Sequence, residues 1–236
     1  MTSKRHIFFD LDHTLWDFER NARECIGELL EEYQSLLSLP CDPDRFFASY
    51  SLINRELWDA YERREIDMEA VRRGRWHRAF AELDIPPGEW METFGKDYVE
   101  RCPHKPHLMD GAKQILETLS SDFVLGIISN GLSSNQFTKI ENAGIAHFFQ
   151  DVVTVDMAGH PKPDARMFHF AMERLGAHPH TAMYVGDTYE SDVKGSWQAG
   201  MSSVYFNPHR QPNPLGVVEI QHLNDLPEAV MRAWRT

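Results

Sequence analysis

Long apolar runs are missing from this chain. No stretch approaches the ~18 uninterrupted apolar residues that span a bilayer. The hydrophobic segment nearest the N-terminus, His6-Ile-Phe-Phe9, is short and no small-residue cleavage site follows it. We therefore expect no secretory leader and a cytoplasmic location. Cysteine is scarce as well. Cys25, Cys41 and Cys102 are odd in number, far apart and form no CxxC pair. That argues against a disulfide framework and for a reducing compartment. Positive charge is in deficit: 24 Lys and Arg stand against 36 Asp and Glu, a net charge of −12 with the 12 histidines neutral. A surface this acidic argues against a nucleic-acid polymer or an anionic membrane as partner. It leaves room for a small anionic ligand where a metal ion or local cations neutralise the site. Repeats, low-complexity tracts and long linkers are absent too. With 236 residues of ordinary globular composition, the chain can bury a full core in one large domain, or in one domain carrying a smaller one.

What is present changes texture along the chain. Residues 5–10 read as a short buried strand. From about position 18 to position 102 the pattern is helical. Cys25, Ile26, Leu29, Leu30, Tyr33 and Leu37 recur at helical spacing, and the segment from Pro40 to Pro43 breaks that helix. The spacing predicts a second helix over 44–64, with Phe47, Tyr50, Ile53, Leu57 and Tyr61 on one face. A third is predicted over 68–83 and, after Pro86-Pro87-Gly88, a fourth running to 101. From position 108 onward, helices predicted over 110–119, 135–143, 164–175 and 192–199 alternate with apolar strands over 123–128, 151–155, 181–185 and 203–206. This alternation predicts an α/β fold, a Rossmann-like parallel sheet with helices on both faces. Asp10 and Ser129 are 119 positions apart. A crossover between parallel strands needs only ~30 residues, so about 80–90 are surplus. We expect an α/β core of 1–16 and 108–236 with an all-helical domain, 17–107, inserted after the first strand. Cys102-Pro-His-Lys-Pro106 reads as the return hinge.

Open α/β sheets bind ligands beyond the carboxyl ends of their strands. The residues that follow the predicted strands are Asp10-Leu-Asp12-His13-Thr14, then Ser129-Asn130-Gly131, then Lys162 framed by two prolines, then Gly186-Asp187-Thr-Tyr-Glu-Ser-Asp192. If the first and fourth strands are neighbours, Asp10, Asp12, Asp187 and Asp192 converge. Such a crowd repels itself unless a cation joins it. A hard, oxygen-liganded ion such as Mg²⁺ is the natural solution, and it leaves Asp10 ionised as a nucleophile. Any one of these aspartates alone is an ordinary turn or cap residue; four at one sheet edge are not. Ser129 and Lys162, a hydroxyl and an ammonium, form a cradle for a phosphoryl group. Singly they are a polar turn and a surface lysine, and their order along the chain carries the signal.

In this order the residues resemble the haloacid dehalogenase superfamily of phosphotransferases. DLDHT at 10–14 resembles DxDx[TV], and Ser129 falls where the second motif has Ser or Thr. Lys162 in HPKPD looks like the third motif's lysine, and GDTYESD at 186–192 resembles GDxxxxD. The inserted helical block looks like a C1-type cap. DLDHTLWDF at 10–18, NRELWDAYERREI at 54–66, RGRWHRAFAELDIPPG at 73–88, IISNGLSSNQ at 127–136 and VGDTYESDVKGSWQAGM at 185–201 are further similar to the YjjG-like pyrimidine 5'-nucleotidases. The resemblance implies a Mg²⁺-dependent phosphoric monoester hydrolase. Asp10 would attack phosphorus, and Asp12 would serve as acid and then base. Asp10, the Asp12 carbonyl and Asp187 would hold the metal, with Asp192 supporting its water shell. Ser129 and Lys162 would bind phosphoryl oxygens, with the Asn130 N–H as an added donor. The partner implied is a small phosphorylated metabolite, a nucleoside monophosphate, and the chain would act as a monomer or homodimer. True dehalogenases lack the acid/base aspartate at the position matching Asp12, so phosphate chemistry is expected. The alternatives are a phosphatase of phosphoglycolate or a sugar phosphate, a phosphomutase, and a non-catalytic phospho-acceptor.

The helical block and its hinge are rich in aromatics that could stack on a nucleobase. Trp16, Trp58, Tyr61 and Trp76 are the specificity candidates, Trp16 foremost, although aromatics at helical spacing more often form a core. Arg73, Arg75 and His77 read as a solvated helix face. Cys102, His104 and His107 have metal-like spacing but no fourth ligand nearby.

Overall fold

The computed structural model describes residues 5–37 and 41–234. Pro40, read as part of a helix break, lies outside them. The chain divides into two compact units, Met1–Asp17 with Pro106–Thr236, and Phe18–Lys105.

The first unit is built on six parallel strands: β1 (His6–Phe9), β2 (Val124–Ser129), β3 (Phe149–Thr154), β4 (Ala182–Gly186), β5 (Ser202–Phe206) and β6 (Val218–Ile220). Their order is β3-β2-β1-β4-β5-β6. β1 and β4 are buried along their whole length. Strands covered on both faces read as unbroken apolar runs, which is why the sequence shows them so clearly. In the sheet Phe9 lies opposite both Ile127 of β2 and Val185 of β4.

The order of strands reverses at β1. The chain runs outward from β1 to β2 and β3, then returns to β4 on the other side and runs outward again. With right-handed crossovers, that reversal places the two sets of helices on opposite faces. α5 (Ala112–Leu119) packs on α10 (Leu226–Ala233), while α8 (Ala165–Leu175) packs on β2, β3, the one-turn α7 (Val155–Ala158) and α9 (Gly195–Gln198). Phe8, Ile128, Val153, Met167, Phe168, Ala171 and Tyr184 form the core on the α8 face. The reversal leaves the loops after β1 and β4 side by side, the place where such sheets bind ligands.

Three features depart from the expected elements. β6 and α10 were not foreseen. β6 is 3 residues long and follows a proline-rich stretch, and α10 is an 8-residue helix opening with Pro227. The helix expected over 192–199 is a wide π-helical turn, Tyr189–Lys194, followed by the short α9. The N–H groups of Asp192 and Val193 both converge on the Thr188 carbonyl, at 2.9 and 3.3 Å.

The second unit consists of α1 (Phe18–Leu37), α2 (Pro43–Glu62), α3 (Met68–Ala81) and α4 (Trp90–Arg101). Asp42 caps α2 by accepting the N–H groups of Asp44 and Arg45, and Pro43 sits in the first turn where its missing N–H is no loss. Asp67 caps α3 through the Ala70 N–H. The helices pack around stacked and edge-on rings. Tyr50 lies over Trp76 with centroids 5.2 Å apart, and Phe94 and Tyr98 meet Trp76 edge-on at 5.1 and 4.8 Å.

Candidate active site

Asp10 is the first residue beyond β1, tied to β4 by its N–H on the Val185 carbonyl at 2.9 Å. The chain then folds back at once. The N–H groups of Leu15 and Trp16 both donate to the Leu11 carbonyl, and His13 takes a left-handed conformation with φ of 65°. Thr14 sits under this loop and donates its hydroxyl to Asp187 Oδ1 at 2.9 Å. That bond ties the loop after β1 to the turn after β4.

Lys162 is the hub of the site. Although it lies between two prolines, it is 2% exposed. Its Nζ donates to Asp10 Oδ1 at 2.5 Å, Asp192 Oδ1 at 2.6 Å and the Tyr184 hydroxyl at 2.8 Å. Asn130 fixes the loop that carries it: its side-chain amide accepts the Lys162 N–H at 2.7 Å and donates to the Lys162 carbonyl at 3.1 Å. The Asn130 side chain therefore holds the lysine loop. The Tyr184 hydroxyl donates onward to the Ile128 carbonyl at 2.9 Å. Asp192 is completed by the Thr188 N–H on Oδ2 at 3.0 Å.

Ligand oxygens of Asp10, Asp187 and Asp192 lie within 4.8 Å of one another. Among the described residues these are the one cluster of carboxylate, histidine or cysteine groups close enough to share a metal ion. Their electrostatics show what is missing from a neutral balance. Burial, then Asp192, push the Asp187 carboxyl up to about 7. Burial also drives Asp10 well above the usual carboxylate range, with Asp192 and Asp187 adding to it and Lys162 opposing. Lys162 is itself held well above its ordinary value; burial opposes this, and Asp10 and Asp192 outweigh it. Three carboxylates thus face one ammonium. Hard carboxylate oxygens with charge to spare fit a divalent cation such as Mg²⁺.

The Asp12 carboxylate does not join this cluster, contrary to the expected convergence of four. It turns toward α6 (Ser133–Asn142). Lys139 Nζ donates to its two oxygens at 2.6 and 2.9 Å, and Gln136 Nε2 donates to Oδ2 at 2.9 Å. Burial alone would raise the Asp12 carboxyl, but the charge and hydrogen bonds of Lys139 and Gln136 bring it below the ordinary range. Ser129, the last residue of β2, accepts at Oγ from the Gly131 N–H at 3.1 Å and from Gln136 Nε2 at 2.5 Å. With both lone pairs engaged, its own proton is left to donate, which suits a phosphoryl oxygen.

The aromatic candidates divide. Trp76 is 2% exposed inside the aromatic core of the helical unit, which corrects its reading as a specificity residue. Trp16, the foremost candidate, is fully buried, with Lys139 Nζ 4.5 Å from its ring centroid. That face supports a cation, so its assignment to a base is also corrected. Trp58 and Tyr61 form a half-buried edge-to-face pair, centroids 5.6 Å apart. Arg75 is buried, contrary to a solvated face, with its guanidinium 5.0 Å from the Trp76 ring and 5.1 Å from the Tyr98 ring. Arg73 is exposed and pairs with Glu92. Sequence reasoning missed Tyr184, Gln136 and Lys139.

No helix among the described residues is long and apolar enough to cross a membrane. A family model described as haloacid dehalogenase-like hydrolase matches residues 7–206. The chain is 28% identical over 223 residues to the pyrimidine 5'-nucleotidase YjjG of Escherichia coli (strain K12), covering 94% of each chain. It is 35% identical over 122 residues to a glyceraldehyde 3-phosphate phosphatase of Methanothermobacter thermautotrophicus, covering 48% of this chain and 54% of that one. The crystal structure of the HAD-hydrolase YfnB from Bacillus subtilis bound to magnesium superposes with a TM-score of 0.85 at 26% identity, over 97% of this chain and 99% of that one. The acidic edge between β1 and β4, its lysine hub and the serine at the end of β2 are thus set in a known scaffold, and the chain belongs to the haloacid dehalogenase-like hydrolase family.

Proposed function

We propose that this hydrolase is a Mg²⁺-dependent phosphatase of small phosphomonoesters that works through an aspartyl-phosphate, with nucleoside 5'-monophosphates, pyrimidine ones first, as substrates and 17–107 as its cap domain. The observation that carries the reading is Lys162, whose buried ammonium bridges Asp10 and Asp192 beside a third carboxylate. A site so built has a nucleophile, a cation-binding set and a phosphoryl-binding ammonium in one place.

In this mechanism Asp10, Asp187 and the Asp12 carbonyl would hold Mg²⁺, with Asp192 supporting them; the ion would supply charge neutralisation and Lewis-acid polarisation of the phosphoryl group. Lys162 and the Ser129 hydroxyl bind those oxygens. Asp10 attacks phosphorus and the ester oxygen leaves with the bonding pair, taking a proton from Asp12. Asp12 then accepts a proton from the water that attacks the aspartyl-phosphate, and the pair from the broken P–O bond returns to Asp10. The presence of Asp12 favours this chemistry over carbon–halogen cleavage. The 5'-nucleotidase relative, aligned over nearly the whole chain, supports the substrate class. The glyceraldehyde 3-phosphate phosphatase relative supports a second reading, a triose or sugar phosphate.

The test is phosphate release, with Mg²⁺ and with chelator, over UMP, dUMP, dTMP, a purine monophosphate, phosphoglycolate and sugar phosphates. We expect Mg²⁺-dependent release led by the pyrimidine nucleotides, and its loss in Asp10→Asn. Preference for a sugar phosphate moves the assignment to the second reading. Activity that survives in Asp10→Asn removes the nucleophile assignment.

A further inference from the structure

The loop after β1 owes its shape to bonds that do not involve the Asp12 side chain. It is closed by backbone bonds from His13, Leu15 and Trp16 and by the Thr14 hydroxyl on Asp187. The Asp12 carboxylate is nevertheless held by three hydrogen bonds, and all of them come from α6. Gln136 and Lys139 stand three positions apart, on one helix face. The start of that helix is pinned by Ser133, whose N–H and hydroxyl donate to the two oxygens of Asp156 at 3.0 and 2.7 Å. Lys139 is backed by the Trp16 ring. Gln136 has room only because Gly131 lacks a side chain: a Cβ there lies 2.5 Å from Gln136 Nε2. Both Nε2 protons are used, one on Asp12 and one on Ser129. The Asp12 side chain keeps 25% exposure, so a leaving group can reach it.

We propose that Gln136 and Lys139 are positioning residues of the acid–base step. They hold the Asp12 carboxylate at the mouth of the site and out of the metal cluster, and Gln136 also turns the Ser129 hydroxyl toward the phosphoryl group. The inference rests on the phosphatase reading and deepens it. Asp12 acts twice: it gives a proton to the departing ester oxygen, and it takes one from the water that cleaves the P–O bond to Asp10. A p-nitrophenolate leaving group needs no such proton, whereas an alkoxide does, so a misplaced Asp12 leaves a distinct kinetic mark.

The experiment compares wild type, Lys139→Met, Gln136→Leu and Lys139→Arg on p-nitrophenyl phosphate and on a nucleoside 5'-monophosphate, with circular dichroism to measure the folded fraction. In Lys139→Met, turnover of the nucleotide should fall ~10²-fold, the scale of lost acid–base catalysis. With p-nitrophenyl phosphate, the first turnover should stay fast while later ones slow, giving a burst of about one product per active site that marks trapped aspartyl-phosphate. Gln136→Leu should show the same pattern more weakly, and Lys139→Arg should restore most of the nucleotide rate. Equal losses on both substrates without a burst, in step with the folded fraction, would reduce the two residues to structural supports. Wild-type behaviour in Lys139→Met and Gln136→Leu would remove the inference and leave the phosphatase reading standing. Absence of phosphate release by the wild-type protein from either ester would overturn that reading, and the inference with it.

Discussion

Gly186 ends β4, and replacing it with alanine tests why the acidic turn opens on glycine. A Cβ built there lies 2.5 Å from both Cγ and Oδ2 of Asp192 and 2.6 Å from its Cβ. Asp192 has little freedom to give way. It is 1% exposed, and its oxygens are held by Lys162, Tyr184 and the Thr188 N–H. Rotating the side chain away would strip Lys162 of one of its two carboxylates and strand a buried charge. Removing one partner of a buried ion pair costs about 3–5 kcal/mol, and overpacking by a methyl group costs about 1–3 kcal/mol. The loop after Gly186 can shift to share the strain, so the two costs overlap. We expect Gly186→Ala to lose about 3–5 kcal/mol, a large part of the ~5–15 kcal/mol that holds a domain together. Urea unfolding followed by circular dichroism measures this from the midpoint and slope. Asp192→Ala supplies the control, because it deletes the atoms that the new Cβ meets. The double variant should then cost little more than Asp192→Ala alone, a coupling close to the ~3–5 kcal/mol lost in Gly186→Ala itself. A loss below ~1 kcal/mol for Gly186→Ala, the scale of an ordinary substitution, would refute the steric argument, as would losses that simply add.

Mg²⁺ binding should depend on pH through Asp187. Its carboxyl is pushed up to about 7 from 3.8 by burial and Asp192. The folded apoprotein therefore holds this proton more tightly than the unfolded chain, so its stability falls as pH rises from about 4 to 7. Below about pH 7 a cation must displace that proton, so Mg²⁺ should raise the Tm more at pH 8 than at pH 6 and release more protons at pH 6 than at pH 8, read by calorimetry in buffers of different ionisation enthalpy. An equal Tm shift at both pH values would contradict the assignment. Trp76→Ala should destabilise the protein by about 3–5 kcal/mol in urea unfolding, as for other large aromatics removed from a core. Trp58→Ala, in a half-buried pair, should cost less than half as much in the same measurement. Asn130→Ala should lose about 1–3 kcal/mol, because the Lys162 N–H and carbonyl are left without their buried partners.

The fold was legible where burial on both faces writes an unbroken apolar run, as in 5–10, 123–128 and 181–185, and where a polar turn follows each run. It was not legible in Val218–Ile220, which is too short to show a period and follows prolines 208, 212 and 214. One expectation in the site, the convergence of four carboxylates, failed for a local reason. Residues two apart on a strand point to one face, which aligns Asp10 with Asp12 only if the strand continues. It stops at Phe9, and the chain folds back through the Leu11 carbonyl, so Asp12 is free to face α6. Arg75 and Trp76 are adjacent and both buried. Helical spacing alone cannot show that, because a helix covered on a broad arc buries neighbours that a single apolar stripe would separate. Tyr184 was hidden because a wholly buried strand carries no alternation to mark which face its hydroxyl serves. The positioning pair on α6 did leave a trace. That helix buries Gln136 completely and Lys139 nearly so, while Phe137 between them is 38% exposed. A helix that turns an amide and an ammonium inward and an aromatic ring outward pays a desolvation cost that needs partners to offset it. Those partners, Ser129 and Asp12, are candidate site residues from the two preceding strand ends. Polar residues three apart, in the helix that opens just after a motif turn, are therefore a signal to look for when the remaining ligands of such a site are sought.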